Sequence, residues 1–339
     1  MLNTKTGIVT DSWGDTDKIE GFEELRGSVY ADKMTGSAED ESFMGMKGND
    51  VIDGGGGKDT LRYHRDDRFD GQKGIVADLS KGTVKDGFGN VDTVKNFEDV
   101  YGAYHNDTFV GDGKNNMFRG ISGTDSFDGK GGIDEISFRW WEDLKQHGAI
   151  VDLSKSKGQI IDDGFGNIET VKNIEAVGGS QFADKISLGA SNGWAWGDDG
   201  NDRLTAGVGQ QWFGGGAGAD RFVFASFKAL GVGPSARDFI DDFSHSQGDR
   251  IDLQGWETWS SKGRAPFPAR KARSATQYQV TTPCSRLILT ATGKPTFRSC
   301  SAGRSRSWPA TSSSERKARP RGLGGRAPHP HQKSVRKTG

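Results

Sequence analysis

GDDGNDRLT (197–205), AGVGQQWFG (206–214) and GGAGADRFV (215–223) are three consecutive blocks of nine residues, and their alignment decides the fold. Position eight of each block is a large apolar residue, Leu204, Phe213 or Phe222. Position six is Asp202, Gln211 or Asp220, and the first four positions are rich in glycine. One large apolar residue in nine is too sparse for an amphipathic helix or an alternating strand. It suits a short strand at positions seven to nine with one side chain turned inward. The first six positions then form a turn in which glycine supplies positive φ. Two blocks make one coil, so block n stacks on block n+2 at a spacing of about 4.8 Å.

The register extends in both directions. GSQFADKIS and LGASNGWAW (179–196) complete this set, and two further sets lie upstream. They are GSVYADKMT, GSAEDESFM, GMKGNDVID and GGGGKDTLR (27–62), then GAYHNDTFV, GDGKNNMFR, GISGTDSFD and GKGGIDEIS (102–137). Position eight is Met34, Phe43, Ile52, Leu61, Phe109, Phe118, Phe127, Ile136 and Ile186 in the other blocks, with Ala195 the one small residue. Position six is Asp32, Asp50, Asp59, Asp107, Asp125, Asp134, Asp184, Asp202 or Asp220 in nine of the thirteen blocks; Glu41, Asn116, Gly193 and Gln211 are the exceptions. Stacked carboxylates at position six repel by about 1 kcal/mol at water's dielectric, and by several times more at an effective value near 20. Such a column calls for a cation. Calcium, which takes about six to eight oxygens from carboxylates and carbonyls, fits better than magnesium with its tighter octahedron. The bland alternative is that these aspartates only close Asx turns.

This pattern resembles the G-G-x-G-x-D-x-U-x repeat of RTX (hemolysin-type) proteins. The resemblance implies an all-β, right-handed parallel β-roll that binds Ca2+ through the nine aspartates. Pairing n with n+2 gives two columns. One holds Asp32/Asp50, Asp107/Asp125 and Asp184/Asp202/Asp220, so four good sites are expected there. The other holds Glu41/Asp59 and Asn116/Asp134, expected to be weak, and Gly193/Gln211, expected to be empty and insensitive to Gln211→Ala.

A longer repeat contains the short one. GIVADLSKGTVKDGFGNVDTVKNFEDVYG (74–102) recurs as GAIVDLSKSKGQIIDDGFGNIETVKNIEAVGG (148–179), and DSWGDTDKIEGFEELRG (11–27) is the last part of a third copy. These segments predict longer strands joined by glycine turns. DGFGN (86–90 and 163–167) predicts a turn rather than an EF-hand loop, because Phe97 and Ile174 stand where the twelfth-position glutamate belongs. The first copy lacks a VDLS-like strand, from which the chain is expected to begin inside a longer ancestral protein. The expected units are 1–62, 63–137 and 138–223, then an end segment 224–257 and a tail 258–339.

Charge divides the chain sharply. Residues 258–339 hold 18 of the 45 Lys and Arg but only one acid, Glu315, together with both cysteines and eight of the nine prolines. The remaining body is acidic, cysteine-free and glycine-rich, which argues against nucleic acid and for cations. Residues 215–253 resemble the end of the repeat region in serralysin-type secreted metalloproteases, after which that family continues with more β-structure and an uncleaved secretion signal. Here the composition breaks instead. Shifting the reading frame lets Ala265–Thr276 encode AFSGKEGEVRY and Leu289–Phe297 encode DGDGKADF, both serralysin-like. The tail is therefore expected to be a frameshift product and disordered; a genuine basic arm is the alternative.

Other sites are absent from the sequence. The six histidines form no HExxH, and there is no GxSxG elbow. Trp140, Trp141, Trp194 and Trp196 read as packing or edge residues rather than sugar platforms. No apolar run approaches membrane-spanning length, and Met1 to Thr10 does not read as a charged-then-apolar signal peptide. The resemblance implies a non-catalytic, calcium-folded extracellular protein of the type I-secreted class, with calcium ions as its partner. Export is expected to be poor if the tail is frameshifted. Two alternatives remain open: the C-terminal fragment of a larger secreted protease, epimerase or lipase, and a surface adhesion protein.

Overall fold

The computed structural model describes residues 1–11, 13–139, 147–155, 158–226, 229, 237–253 and 287–288. Strands form at positions seven to nine of every block, as in Lys33–Thr35, Ser42–Met44, Val51–Asp53 and Thr60–Arg62. Block n pairs with block n+2 in parallel register: Met34 lies beside Ile52, and Phe43 beside Leu61. Odd and even blocks therefore build two separate sheets, and the chain alternates between them through the six-residue turns. This is a parallel β-roll.

The core is the position-eight column. All thirteen of those side chains, from Met34 to Phe222, are at most 2% exposed. Phe109 and Phe127, one coil apart, stack with ring centroids 4.9 Å apart and planes within 2°. That repeat distance is the strand spacing itself, so identical aromatic residues on adjacent rungs stack without rotamer change.

The longer repeats interrupt neither sheet. In the first sheet, Val76–Asp78, Thr83–Lys85 and Val91–Lys95 form an antiparallel meander. Its outer strands pair in parallel with Thr108–Val110 and Val51–Asp53, so Val94 sits on Ile52 and Ala77 on Phe109. In the second sheet Asp99–Tyr101 simply supplies one more rung, between Thr60–Arg62 and Met117–Arg119. Ile150–Asp152, Gly158–Asp162, Glu169–Lys172 and Ala176–Gly178 repeat the arrangement.

The first meander differs from the sequence reading. Leu2–Asn3 pairs in parallel with Lys33–Thr35 and antiparallel with Ile8–Thr10, which pairs in turn with Thr16–Lys18. Leu2–Asn3 thus holds the place of Val76–Asp78, and the strand expected to be missing is present in shortened form. Its sequence, LNT, gives no VDLS-like cue.

After the last block, Phe239–Ile240 and Arg250–Leu253 add a rung to each sheet. Of the tail, only Leu287–Ile288 is described, antiparallel to Phe239–Ile240. The expected disorder of 258–339 otherwise falls outside the described residues, as do Trp140 and Trp141.

Candidate metal centre

The turns bring the position-six residues into two continuous columns. Six of them, Asp50, Asp59, Asp125, Asp134, Asp202 and Asp220, each accept a hydrogen bond from the position-six N–H of the rung before. Asp50 Oδ1 takes the Asp32 N–H at 2.8 Å, and Asp125 Oδ1 takes that of Asp107 at 2.7 Å. Asp202 and Asp220 receive the N–H groups of Asp184 and Asp202 at 2.8 and 2.9 Å. In the second column Asp59 and Asp134 receive those of Glu41 and Asn116 at 2.9 and 2.8 Å.

What happens to the other oxygen depends on the turn. On the first rung of each set it accepts the N–H of position two in its own block. Ser28 N donates to Asp32 at 2.6 Å, Ala103 N to Asp107 at 2.8 Å and Ser180 N to Asp184 at 2.6 Å. Glu41 and Asn116 do the same with Ser37 and Asp112. On the next rung position two takes positive φ: Met46 68°, Gly55 99°, Ile121 79°, Lys130 68°, Asp198 71° and Gly216 90°. That hydrogen bond is not made there. Oδ2 of Asp50, Asp59, Asp125, Asp134, Asp202 and Asp220 is buried and has no partner.

Two costs therefore coincide at these places. A non-glycine residue at positive φ costs on the order of 1–3 kcal/mol, and β-branched Ile121 is the least suited of them. A buried carboxylate oxygen without a partner costs on the order of 1–3 kcal/mol or more. Both vanish as anomalies if the oxygen ligates a cation. Position four supplies the rest of the cradle. Gly48, Gly57, Gly123, Gly132 and Gly200 all have positive φ, and a Cβ on any of them would come within 2.7 Å of the carbonyl oxygen of the residue one coil below. Only glycine lets those carbonyls approach.

Gln211 shows what the cradle is shaped to hold. Its Oε1 accepts the Gly207 N–H at 2.9 Å, and its Nε2 donates to the carbonyls of Gly189 at 3.0 Å and Ser191 at 3.2 Å. Gly189 and Ser191 are positions two and four of the block one coil below. An amide NH2, partly positive, thus binds the carbonyl pair that a cation would use elsewhere. On this rung, where no ion is expected, the amide itself occupies the carbonyl pair, so the Gln211 side chain is a structural member of the column rather than a bystander. Gln211→Ala should accordingly lower stability in saturating calcium by about 2–4 kcal/mol, since three partly buried hydrogen bonds worth roughly 0.5–1.5 kcal/mol each are lost. Urea titration checks this, and a loss below about 0.5 kcal/mol would sink it.

Burial controls the electrostatics. It pushes Asp50 and Asp220 up to about 6, and Asp59 and Asp134 up to about 7. Asp202 is pushed up to about 8, by burial first and then by the charges of Asp184 and Asp220, against a hydrogen bond from the Asp184 N–H. Asp184 rises to about 6 and Asp107 well above the ordinary range, again through burial. No three acidic or histidine side chains among the described residues converge enough to hold an ion alone. Any bound ion must draw on the turn carbonyls.

The columns also contain residues the nonapeptide spacing does not find. Asp92 accepts the Asp50 N–H at 3.0 Å, and Glu98 that of Asp59 at 3.1 Å. Glu175 accepts from Asp134, Asp238 from Gln211 and Asp249 from Asp220, at 3.1, 2.8 and 3.0 Å. Asp238 Oδ2 is a seventh buried oxygen in the columns with no partner. Other expectations resolve as packing. Asp86 Oδ1 closes the DGFGN turn by accepting from Phe88, Gly89 and Asn90. Trp194 Nε1 donates to buried Glu135 at 3.1 Å, and the Trp196 ring fills the space above Gly214.

A family model described as the RTX calcium-binding nonapeptide repeat, in four copies, matches residues 35–69, 101–136 and 178–210. Those ranges cover parts of all three sets of blocks.

Proposed function

We propose that this chain, an RTX-repeat protein with a calcium-binding β-roll, works as a non-catalytic, extracellular module whose folding is driven by calcium. The observation that carries the reading is the set of six buried, partnerless Oδ2 atoms, on Asp50, Asp59, Asp125, Asp134, Asp202 and Asp220, each facing a glycine-lined turn. Asp50, Asp125, Asp202 and Asp220 would hold ions in the first column, and Asp59 and Asp134 in the second, completed by the carbonyls of positions two and four. The ion would supply the positive charge that lets stacked carboxylates ionise while buried. Export unfolded from a low-calcium interior, followed by folding outside, suits such a chain. Among the described residues no helix is long and apolar enough to cross a membrane.

Equilibrium dialysis tests the binding directly. About six calcium ions per chain should be retained, one for each free oxygen of the repeats, with Asp238 able to add one. Magnesium at the same concentration should bind far less, because the carbonyl turns do not offer its small octahedron. Equal retention of the two metals, or none of calcium, would defeat the proposal.

A further inference from the structure

The first meander carries the groups that the later meanders use to receive a coil. Asp17 stands opposite Val9 as Asp92 stands opposite Val84, and Leu25 lies beside Phe43 as Val100 lies beside Phe118. Glu23 and Phe22 are therefore the counterparts of Glu98 and Phe97. In the second unit Asp92 and Glu98 accept the position-six N–H groups of the coil before. The Thr93 and Asp99 N–H groups return bonds to the Asp50 and Asp59 carbonyls at 2.8 and 3.0 Å. The third unit repeats the Glu98 and Asp99 contacts with Glu175 and Ala176 on Asp134. Phe97 meets the Phe43 ring of the preceding set of blocks edge-on, with centroids 5.5 Å apart, and is 3% exposed; Ile174, in the same place, is 9% exposed.

On the first meander the same positions face outward. Among the described residues Thr16–Lys18 pairs only with Ile8–Thr10, and Glu24–Arg26 only with Ser42–Met44. Asp17 and Glu23 are exposed, and Phe22 is 55% exposed. Asp11 is exposed where its counterpart Asp86 is buried, and Trp13, at the place of Phe88, is 87% exposed. Two open strand edges, two carboxylates placed to receive N–H groups and an aromatic ring between them make a template for further pairing. Its charge argues against a second copy of the same end, because residues 11–26 hold six acids and two bases. The far end of another copy fits no better. There Phe239–Ile240 is already paired with Leu287–Ile288, and the Asp249 N–H is bound by the Ser244 carbonyl at 3.2 Å.

We propose that this end of the roll is an interaction face for the closing coil of another RTX-repeat segment. The partner is a pair of nonapeptide blocks. One of its strands adds in parallel to Thr16–Lys18 and the other to Glu24–Arg26, their position-six N–H groups bind Asp17 and Glu23, and an inward apolar side chain covers Phe22. Hydrogen exchange in calcium tests this on a chimera with residues 27–75 placed directly ahead of Met1 of the full chain. The chimera copies the junction of the second unit, where Gly82 holds the place of Gly7 with the same φ of 66°. Supplying the coil covalently keeps weak association from hiding the fit. Amide exchange over residues 17–25 should slow by about a hundredfold relative to the unextended chain. Phe22→Ala and Glu23→Ala should cancel most of that protection in the chimera, yet leave exchange over 31–62 unchanged in the unextended chain. Equal exchange over 17–25 with and without the added coil overturns the proposal, and so does protection that survives both substitutions. Residues 17–25 already protected in the unextended chain also overturn it. Sedimentation as a monomer then assigns the face to the chain's own basic tail, and sedimentation as a dimer assigns it to a second copy.

Discussion

In chelator at neutral pH the body of this chain should show almost no β-structure, and millimolar calcium should restore it in one cooperative transition. The reason is the thinness of the core. Each nine-residue block buries one large side chain, which stabilises by about 1.5–3 kcal/mol. Fixing the backbone costs on the order of 1–2 kcal/mol for every residue. Hydrogen bonds between rungs narrow the gap, but the carboxylate columns widen it again. Asp59, Asp134 and Asp202, pushed by burial to about 7, 7 and 8, each resist ionisation in the fold. A site occupied at a hundred times its dissociation constant contributes about 2.7 kcal/mol, and only the assembled stack offers the site. Several such sites in one continuous column turn an unstable fold into a stable one. Circular dichroism with and without calcium checks this, and a spectrum indifferent to the ion would refute it.

The distribution of sites within the column sets a graded result. Asp202 belongs to two adjacent rungs: it accepts the Asp184 N–H and donates its own to Asp220. Its removal therefore disturbs two ion positions, its own and that of Asp220, whereas Asp59, which passes its N–H to Glu98 and not to a residue with a partnerless oxygen, disturbs one.

Much of this was readable from residues alone, because the nonapeptide carries its own geometry. A period of nine with one apolar position fixes the coil, the pairing of n with n+2 and the inward column from Met34 to Phe222. What the spacing hides are the rungs supplied by the meanders. Asp92 lies 42 residues after Asp50 in sequence yet one rung away in space. The cue is local: Asp92-Thr93-Val94-Lys95 repeats the acid–x–apolar–x order of Asp32-Lys33-Met34-Thr35, and Glu169-Thr170-Val171-Lys172 repeats it again. Gln211 illustrates a different limit. Its lack of charge is visible in the sequence, but its reach is not. One more methylene than Asn carries the amide to the Gly189 and Ser191 carbonyls, whereas Asn116 Nδ2 on another rung comes only within 3.5 Å of the Glu98 carbonyl.

Acid should substitute in part for calcium. Between about pH 4 and pH 8 the metal-free roll holds more protons than the unfolded chain, because its carboxyls are raised from 3.8: Asp50, Asp184 and Asp220 to about 6, Asp59, Asp92 and Asp134 to about 7, and Asp202 and Asp238 to about 8. Burial is the first cause in every case. Where the native state binds more protons, stability falls as pH rises. The metal-free fold is therefore most favoured near the unfolded value and loses stability progressively up to about pH 8. A tenfold gain in a carboxyl's proton affinity on folding corresponds to about 1.4 kcal/mol, so even a fraction of the combined effect is comparable with the roughly 5–15 kcal/mol that holds an ordinary domain together. Asp125, raised by burial and then by the charge of Asp163, and Glu169, raised by burial and then by the charges of Asp125 and Asp163, act in the same direction. In chelator, β-structure should therefore be larger at pH 5 than at pH 7.5. Calcium affinity should move the opposite way, rising through this window as binding displaces fewer protons. A metal-free chain more structured at pH 7.5 than at pH 5, or calcium binding that weakens as pH rises, would show that the columns are not held together by charge neutralisation.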